Sequence, residues 1–506
     1  MTFLSLLYGL FLLSIIFVYW GVRQRQFRLW LLLVASLIFY GSVQLQSVPL
    51  LLASGWVNFK LGAAIGDGQE LEAYKQNWQL SNQAWEAQQR KWQRRRLWLL
   101  IAGIVFNVIV LLSFKYGSLL FSPESEMASR WAQSWLNPYF IAPLGISFFS
   151  FECLAYLIDV YRGAPVTQDL LQFTSYKFFF PKLISGPITR YHQWSEQFLK
   201  QETPDVERVS EGLWLIASGA IKKGLLADNL GIYVDLCFEN LQRAGSGDLW
   251  LATLAYGFQL YLDFSGYVDI ARGSAMLLGW TLPRNFDFPY MTASIADFWR
   301  RWHMTLGDWL RNYLYFPLGG SRQGLLNTCM NLLLVMLVAG IWHGSAGTRL
   351  DPLGYLVWGG YHGLALVAHR LTDALSNRVT LLKAWWQSVP GQVLAWGMTQ
   401  AMVFTSWIFF RLPNLQDSGW VFRHLWNSTA DAQFAEKVYV ESLGLARADL
   451  ALILLLLSGL MALAYFLEKS LKLKLNWPVE LLLVPVCFYV VWLLAPDSLP
   501  YIYFDF

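Results

Sequence analysis

Long apolar stretches separated by short polar turns run through the whole 506-residue chain. The clearest cover residues 1–20, 29–41, 97–120, 141–161, 249–280, 325–342, 392–410, 449–467 and 479–495. Each reaches or approaches the roughly 20 apolar residues a helix needs to cross a bilayer. Weaker segments at 50–65, 212–237 and 353–369 mix polar and apolar residues, a pattern that also suits tilted, re-entrant or surface-lying helices. Together they predict an all-α, polytopic transmembrane protein of about 11 or 12 spans, with re-entrant and interfacial helices besides.

Three interruptions stand out. In residues 67–96, Trp78, Trp85 and Trp92 recur every seven residues among Gln and Glu, which lines the indoles along one side of a helix and predicts an interfacial segment. Residues 427–447 read as a polar loop with a short helix. The run FFFPKLISGPITRYHQW, 178–194, has two prolines and a glycine around a short apolar core and is no regular span. Irregular backbone at membrane depth is tolerated only where protein buries it or it lines a cavity, so a re-entrant element bordering a site is expected. Lys182 and Arg190 would then offer positive charge to an anionic ligand. The plainer alternative is a cytoplasmic loop whose cations follow topology.

Composition agrees with a lipid solvent. The chain is 56% hydrophobic and 14% charged, against about 25% charged in a typical soluble protein. Arg23, Arg25 and Arg28 follow the first span, and Lys75, Arg90, Lys91, Arg94, Arg95 and Arg96 precede residue 97. The positive-inside rule puts both loops in the cytoplasm, and hence the N-terminus and the 122–137 loop outside. The N-terminus has no positively charged region before its apolar run and reads as a first span rather than a removable signal. The net charge of +4 says little by itself, and no nucleic-acid partner is expected. Cys153, Cys237, Cys329 and Cys487 are too irregularly spaced for a metal site or disulfide framework.

Titratable groups inside the apolar segments are the candidate chemistry. His343 is one of only six histidines and ends the apolar stretch 325–339 in the run GIWHGSAG. In residues 296–320, ADFWRRWHMTLGDWLRNYLYFPLGG, the aromatic residues Phe298, Trp302, Trp309, Tyr313 and Phe316 recur at helical intervals. Arg301, Thr305, Asp308 and Asn312 make a second face, and Arg300, His303, Gly307 and Arg311 a third. One continuous helix at an interface or along a water-filled cavity is expected, with Arg300, Arg301, Trp302 and His303 at the site. Upstream, YLDFSGYVDIARG, 261–273, carries Asp263, Asp269 and Arg272. The two aspartates point about 120° apart on a helix, so they make no carboxylate pair, whereas Asp269 and Arg272 can pair at i, i+3. Buried charges neutralising one another is the main reading, and a proton or substrate pathway the other. His362, in WGGYHG, reads as a structural or supporting residue.

These runs carry a resemblance. IAPLGISFFSFECLAYLIDVYRG (141–163), FFPKLISGPITRY (179–191), DFSGYVDIARG (263–273), FWRRWHMTLGDWLRNYLYFPLGG (298–320), GIWHG (340–344), WGGYHG (358–363) and the terminal YIYFDF resemble the membrane-bound O-acyltransferase family, in its bacterial alginate O-acetyltransferase branch. The resemblance covers the chain as one membrane domain, 1–506: N-terminal spans 1–66, a cytoplasmic amphipathic segment 67–96, a motif-bearing core 97–370 and C-terminal spans 371–506. It implies helices around a central funnel or channel open to each face, with His343 matching the family's invariant histidine and His303 its second. It also implies a cytoplasmic acyl donor, acetyl-CoA or another acyl thioester, with no bound cofactor or metal. An extracytoplasmic acetyltransferase or acceptor protein and a polysaccharide would receive the acyl group at a bacterial inner membrane. Two departures are visible: Lys182 stands where relatives often have an amide, and the link at 348–354 is longer than usual.

Acyl transfer needs a general base for the attacking hydroxyl, and imidazole, with an ordinary pKa near ~6.5, serves near neutral pH. His343 is the expected base. His303, or an indole N–H of Trp342 or Trp302, could donate to the developing oxyanion. No GxSxG motif supports a serine nucleophile. The alternatives are a transporter or flippase for a glycan or lipid-linked precursor, and D-alanyl transfer to teichoic acid.

Overall fold

The computed structural model describes residues 2–67, 82–120, 142–200, 202–345 and 351–502. Trp78, the 122–137 loop, residues 348–350 of the long link and residues 503–506 of the YIYFDF terminus lie outside these. Secondary structure among the described residues is helical, without a strand.

In chain order the helices are α1 (Leu6–Gly21), α2 (Arg25–Gln44), α3 (Val48–Gly66), α4 (Asn82–Leu120), α5 (Ile146–Tyr161), α6 (Leu170–Phe178), α7 (Tyr191–Leu199), α8 (Val206–Ala220), α9 (Asp228–Glu239) and α10 (Ser246–Leu277). There follow α11 (Ile295–Arg301), α12 (Met304–Leu310), α13 (Leu325–His343), α14 (Pro352–Ser376), α15 (Thr380–Gln387), α16 (Val389–Arg411), α17 (Leu415–His424), α18 (Ala432–Ala435), α19 (Arg447–Tyr465) and α20 (Trp477–Leu494). Many starts are written in the sequence. Asp351, Ser388 and Asn476 each accept a hydrogen bond from a first-turn N–H, and each is followed by a proline within the first two helical positions.

Among the described residues, six stretches are long and apolar enough to cross a membrane; the first, residues 25–66, joins α2 and α3. That is fewer than the hydrophobic pattern suggests. The 32 residues of α10 would reach roughly 48 Å, but Gln259, Asp263, Asp269 and Arg272 dilute its apolar character, and protein rather than lipid covers most of it. The described part of the 67–96 segment, with Trp85 and Trp92, is continuous with the next apolar stretch: α4 runs unbroken for 39 residues, from the polar stretch into the apolar one. Arg96 explains the join. Its guanidinium donates to the carbonyls of Ile65 (2.8 Å), Val160 (3.1 Å) and Tyr161 (2.8 Å), which lie at the ends of α3 and α5, and it lies 4.4 Å from the Trp92 ring.

The chain folds into two compact units. The first comprises residues 1–209 with 274–283. Its centre is the proline-interrupted run, which is irregular as expected and buried throughout 179–189. Its backbone groups are met by side chains: Phe180 N–H donates to Ser36 Oγ at 3.1 Å, Thr189 N–H to Glu152 Oε1 at 3.1 Å, and Tyr176 OH to the Thr189 carbonyl at 2.7 Å. Gly145, at φ +77°, opens α5 so close to this run that a Cβ there would sit 2.7 Å from the Ile184 carbonyl oxygen.

The second unit comprises residues 210–273 with 284–506 and holds the candidate histidines. Its tightest crossing pairs α13 with α14. A Cβ on Gly359 would lie 2.4 Å from the Met336 carbonyl oxygen, and one on Gly340 would lie 2.3 Å from that of Tyr355. The glycines of GIWHG and WGGYHG thus let two backbones touch, which carries the end of α13 onto the first turns of α14.

Candidate active site

His343 is the last residue of α13, as the end of its apolar stretch predicts, and only 3% of it is exposed. Four aromatic rings surround it: Trp342 (centroids 4.5 Å apart), Phe410 (5.1 Å), Trp358 (5.2 Å) and Tyr355 (6.1 Å). Tyr355 OH donates to the Phe410 carbonyl at 3.1 Å, fixing α14 against the end of α16 beside the imidazole.

His303 sits differently from the expectation. The helix forecast for 296–320 is broken: α11 ends at Arg301, Trp302 is extended, and His303 has the left-handed conformation, φ +43° and ψ +55°, before α12 begins. Tertiary bonds impose the break. Met304 N–H donates to the Asn285 carbonyl at 2.9 Å, Thr305 N–H and Oγ1 to Asn285 Oδ1 at 3.1 and 2.6 Å, and Asp287 N–H to the Arg301 carbonyl at 3.1 Å. A non-glycine residue held at positive φ is costly and tends to persist where function retains it. The three helical faces drawn through this segment therefore do not exist as such.

A continuous aromatic wall joins the two histidines. From His343 it runs through Trp358 to Trp407 (6.3 Å) and on to Trp302 (4.9 Å). From His303 it runs through Phe264 (4.8 Å) and Phe286 (5.1 Å) to the same Trp302 (5.1 Å). Trp302 is the ring common to both arms. His362, fully buried, lies 5.0 Å from both Trp299 and Trp358, and its Nε2 is 2.9 Å from Ser406 Oγ.

Charged candidates are mostly committed to one another. Arg301 pairs with Asp297 at 3.1 Å, and Arg300 is exposed. Asp269 pairs with Arg272 at 3.5 Å, the i, i+3 partner expected, and with Lys222 at 2.6 Å. Asp263 pairs with Lys223 at 2.6 Å, and Lys223 also reaches Asp228 at 2.7 Å. Gly266 leaves α10 unbroken, so the aspartates diverge as the helical angle requires. The adjacent lysines can serve divergent acids because residues 221–227 form a π-helical turn, whose wider winding re-aims its side chains. Lys222 and Lys223 went unremarked in the sequence, where the pair inside a weakly apolar segment was the available signal.

In the first unit, Lys182 is buried and meets Glu152 at 2.5 Å, so its charge faces a carboxylate rather than an open anion site. Glu152 also accepts from Lys177 at 3.3 Å and from Thr189 Oγ1 at 2.9 Å. Lys177 and Lys182 stand 4.1 and 3.9 Å from the Phe149 and Tyr176 rings. Arg190 is half-buried at the start of α7. Glu152 was hidden in plain view within ISFFSFECLAYL, since its partners lie 25 and 30 residues away.

Chemically, the second unit offers buried imidazoles in an aromatic lining, a setting suited to proton transfer at a reacting hydroxyl in a low-dielectric environment. Residues 32–410 match the membrane-bound O-acyltransferase family, MBOAT. The chain is 34% identical over 436 residues to a probable alginate O-acetylase AlgI of Pseudomonas syringae pv. tomato, covering 86% of this chain and 75% of that one. It is 32% identical over 418 residues to a peptidoglycan O-acetyltransferase of Helicobacter pylori, covering 77% and 72%. A teichoic acid D-alanyltransferase of Streptococcus thermophilus is similar over a shorter region, 30% identical across 237 residues.

Proposed function

Because the chain belongs to the membrane-bound O-acyltransferase family and is an O-acyltransferase of the membrane, we propose that it carries acetyl groups from a cytoplasmic thioester, such as acetyl-CoA, to the O-acetylation of an extracytoplasmic polysaccharide. His343 acts as the base. The acceptor oxygen attacks the thioester carbonyl carbon while His343 takes the hydroxyl proton; the C–S bond then breaks and the imidazolium returns the proton to the sulfur. The observation that carries this reading is the position of His343: buried, at the end of α13, within an aromatic cage. Carbonyl groups at a helix C-terminus favour positive charge beside them, which assists the imidazole as it accepts the proton. His303, held in its strained conformation, supports the developing oxyanion together with the indoles of Trp302 and Trp342.

The two O-acetylating relatives described above support acetyl as the group transferred, one named for alginate and the other for peptidoglycan. Residues 1–506 act in this reading as one functional membrane domain. The protein works in a bacterial inner membrane with its N-terminus outside, alongside an extracytoplasmic acetyltransferase or acceptor protein. The test is a radiolabelled-acetyl assay on membranes carrying His343→Ala. Loss of polymer acetylation with unchanged polymer export is the expected outcome. Failed export with normal acetyl content per sugar overturns the reading in favour of transport.

A further inference from the structure

One face of α4, in the first unit, changes character along its length. At ~100° per residue, Arg90, Lys91 and Arg94 fall within an arc of about 100°, and all three are exposed. One turn beyond Arg94 the same arc becomes apolar. Trp98, Ile101, Val105, Ile109 and Leu112 carry it onward, each between 38% and 69% exposed. Residues 82–116 are long and apolar enough to cross a membrane, so the hydrocarbon of the bilayer covers this stripe. From Trp98 to Leu112 it reaches about 21 Å, more than the ~15 Å of one leaflet's tails.

The opposite face is spent inside the protein. Arg96 is turned onto the carbonyls at the ends of α3 and α5, and Trp92 Nε1 donates to the Asp67 carbonyl at 2.9 Å. The outward cations are not consumed in this way. Arg90 lies 3.4 Å from Glu86, but both side chains are more than 60% exposed, and such a pair is worth little. No ion pair holds Lys91 or Arg94 among the described residues. The positive-inside rule asks for cations on this side of the span, yet it does not require them to share an arc with the lipid-facing stripe. That coincidence is the feature to be explained.

We propose that this face of α4 binds an anionic phospholipid, its tails along the stripe and its headgroup phosphate among Arg90, Lys91 and Arg94. Arg94 stands about 6 Å above Trp98 along the helix axis, and indoles favour the level where tails meet headgroups. A zwitterionic lipid brings its own ammonium to the three cations, whereas a lipid of net negative charge gains from each of them. An acidic protein surface would satisfy the cations alone; the stripe that continues them is a surface for lipid tails. Through Arg96, α4 is tied to the ends of α3 and α5. A headgroup held at Arg94 therefore sets the depth at which those helix ends lie, whether or not His343 is the base.

The test uses the full chain in phosphatidylcholine nanodiscs at low ionic strength. Trace phosphatidylglycerol or phosphatidylcholine, each bearing the same mid-chain diazirine, is photolysed and the labelled peptides are mapped. The phosphatidylglycerol probe is expected to label residues 97–112 about tenfold more than the phosphatidylcholine probe. The combined variant Arg90→Gln, Lys91→Gln, Arg94→Gln should lower that ratio to about two. Its phosphatidylcholine labelling should not change, which shows that α4 still meets lipid. Added salt should lower the wild-type ratio in the same direction. Equal labelling by the two probes in the unaltered protein overturns the proposal and leaves the cations to topology or to a protein partner. A ratio that the triple variant leaves unchanged also overturns it, by placing the attraction on other charges.

Discussion

The Nε2 of His362 lies 2.9 Å from the Oγ of Ser406, and the Ser406 hydroxyl already donates to the Val403 carbonyl at 2.6 Å. Ser406 can therefore only accept, and the imidazole must donate from Nε2, leaving Nδ1 bare. This fixes one neutral tautomer and turns the ring into a strut between α14 and α16. Ser406→Ala strands the N–H and is expected to cost about 1–3 kcal/mol in thermal unfolding. His362→Gln, whose amide supplies an N–H in its place, should retain most of the acyltransfer rate. A Ser406→Ala protein that melts at the wild-type temperature would contradict the tautomer.

Two neighbouring glycines on α14 should respond with opposite sign. Gly359→Ala drives a Cβ to within 2.4 Å of the Met336 carbonyl oxygen, so α13 and α14 must separate and His343 shifts with them. Activity should fall steeply and stability by about 1–3 kcal/mol. At Gly360 a Cβ meets only Leu337 Cδ2 at 3.7 Å, an ordinary contact, and alanine should stabilise the helix by about 0.4–1 kcal/mol. Paired melting and rate measurements on the two variants decide it.

Glu152 is shared by Lys177, Lys182 and Thr189. Glu152→Gln leaves two lysines buried against a neutral amide and should destabilise by about 3–5 kcal/mol. Adding Lys182→Met should recover part of that loss, giving a coupling energy of about 0.5–3 kcal/mol in a double-mutant cycle. Simple additivity of the two changes would show that the pair does not interact.

Two acids of α10 offer a contrast. Asp263 is 2% exposed, holds Lys223 and accepts from the Ile502 N–H at 3.1 Å. Asp269 is partly exposed and keeps both Lys222 and Arg272. Asp263→Asn should therefore destabilise the protein more than Asp269→Asn, by roughly 1–3 kcal/mol. Rates normalised to folded protein should remain within a few-fold of wild type in both. An inactive but stable Asp269→Asn protein would instead point to a proton or substrate pathway through these residues.

What the sequence conveyed follows from the range over which each feature is set. The end of α13 at His343 was legible because an apolar run simply stops there, and the Asp269–Arg272 pair because its spacing is local. The break at His303 was not, since aromatic periodicity continues through Trp302 and Trp309 while the interruption is imposed by Asn285, 18 residues upstream. Likewise the partners of Glu152, and the π-helical turn that directs Lys222 and Lys223 to separate acids, depend on tertiary neighbours that no local pattern reveals. Gly340 of GIWHG and Gly359 of WGGYHG acquire a physical reason only once α13 and α14 are seen to touch.

Helix α20 buries none of its eighteen residues, yet its amino end is fastened by Ser210, whose hydroxyl lies 2.9 Å from the Trp477 carbonyl oxygen and 3.0 Å from Glu480. Such an element takes its surroundings from whatever hydrocarbon bathes it and its address from that anchor and from packing on residues 221–227. Extraction into a micelle replaces that bath, so the choice of surfactant chain becomes a structural variable, and deuterium uptake along residues 477–494 is the gauge by which to choose it.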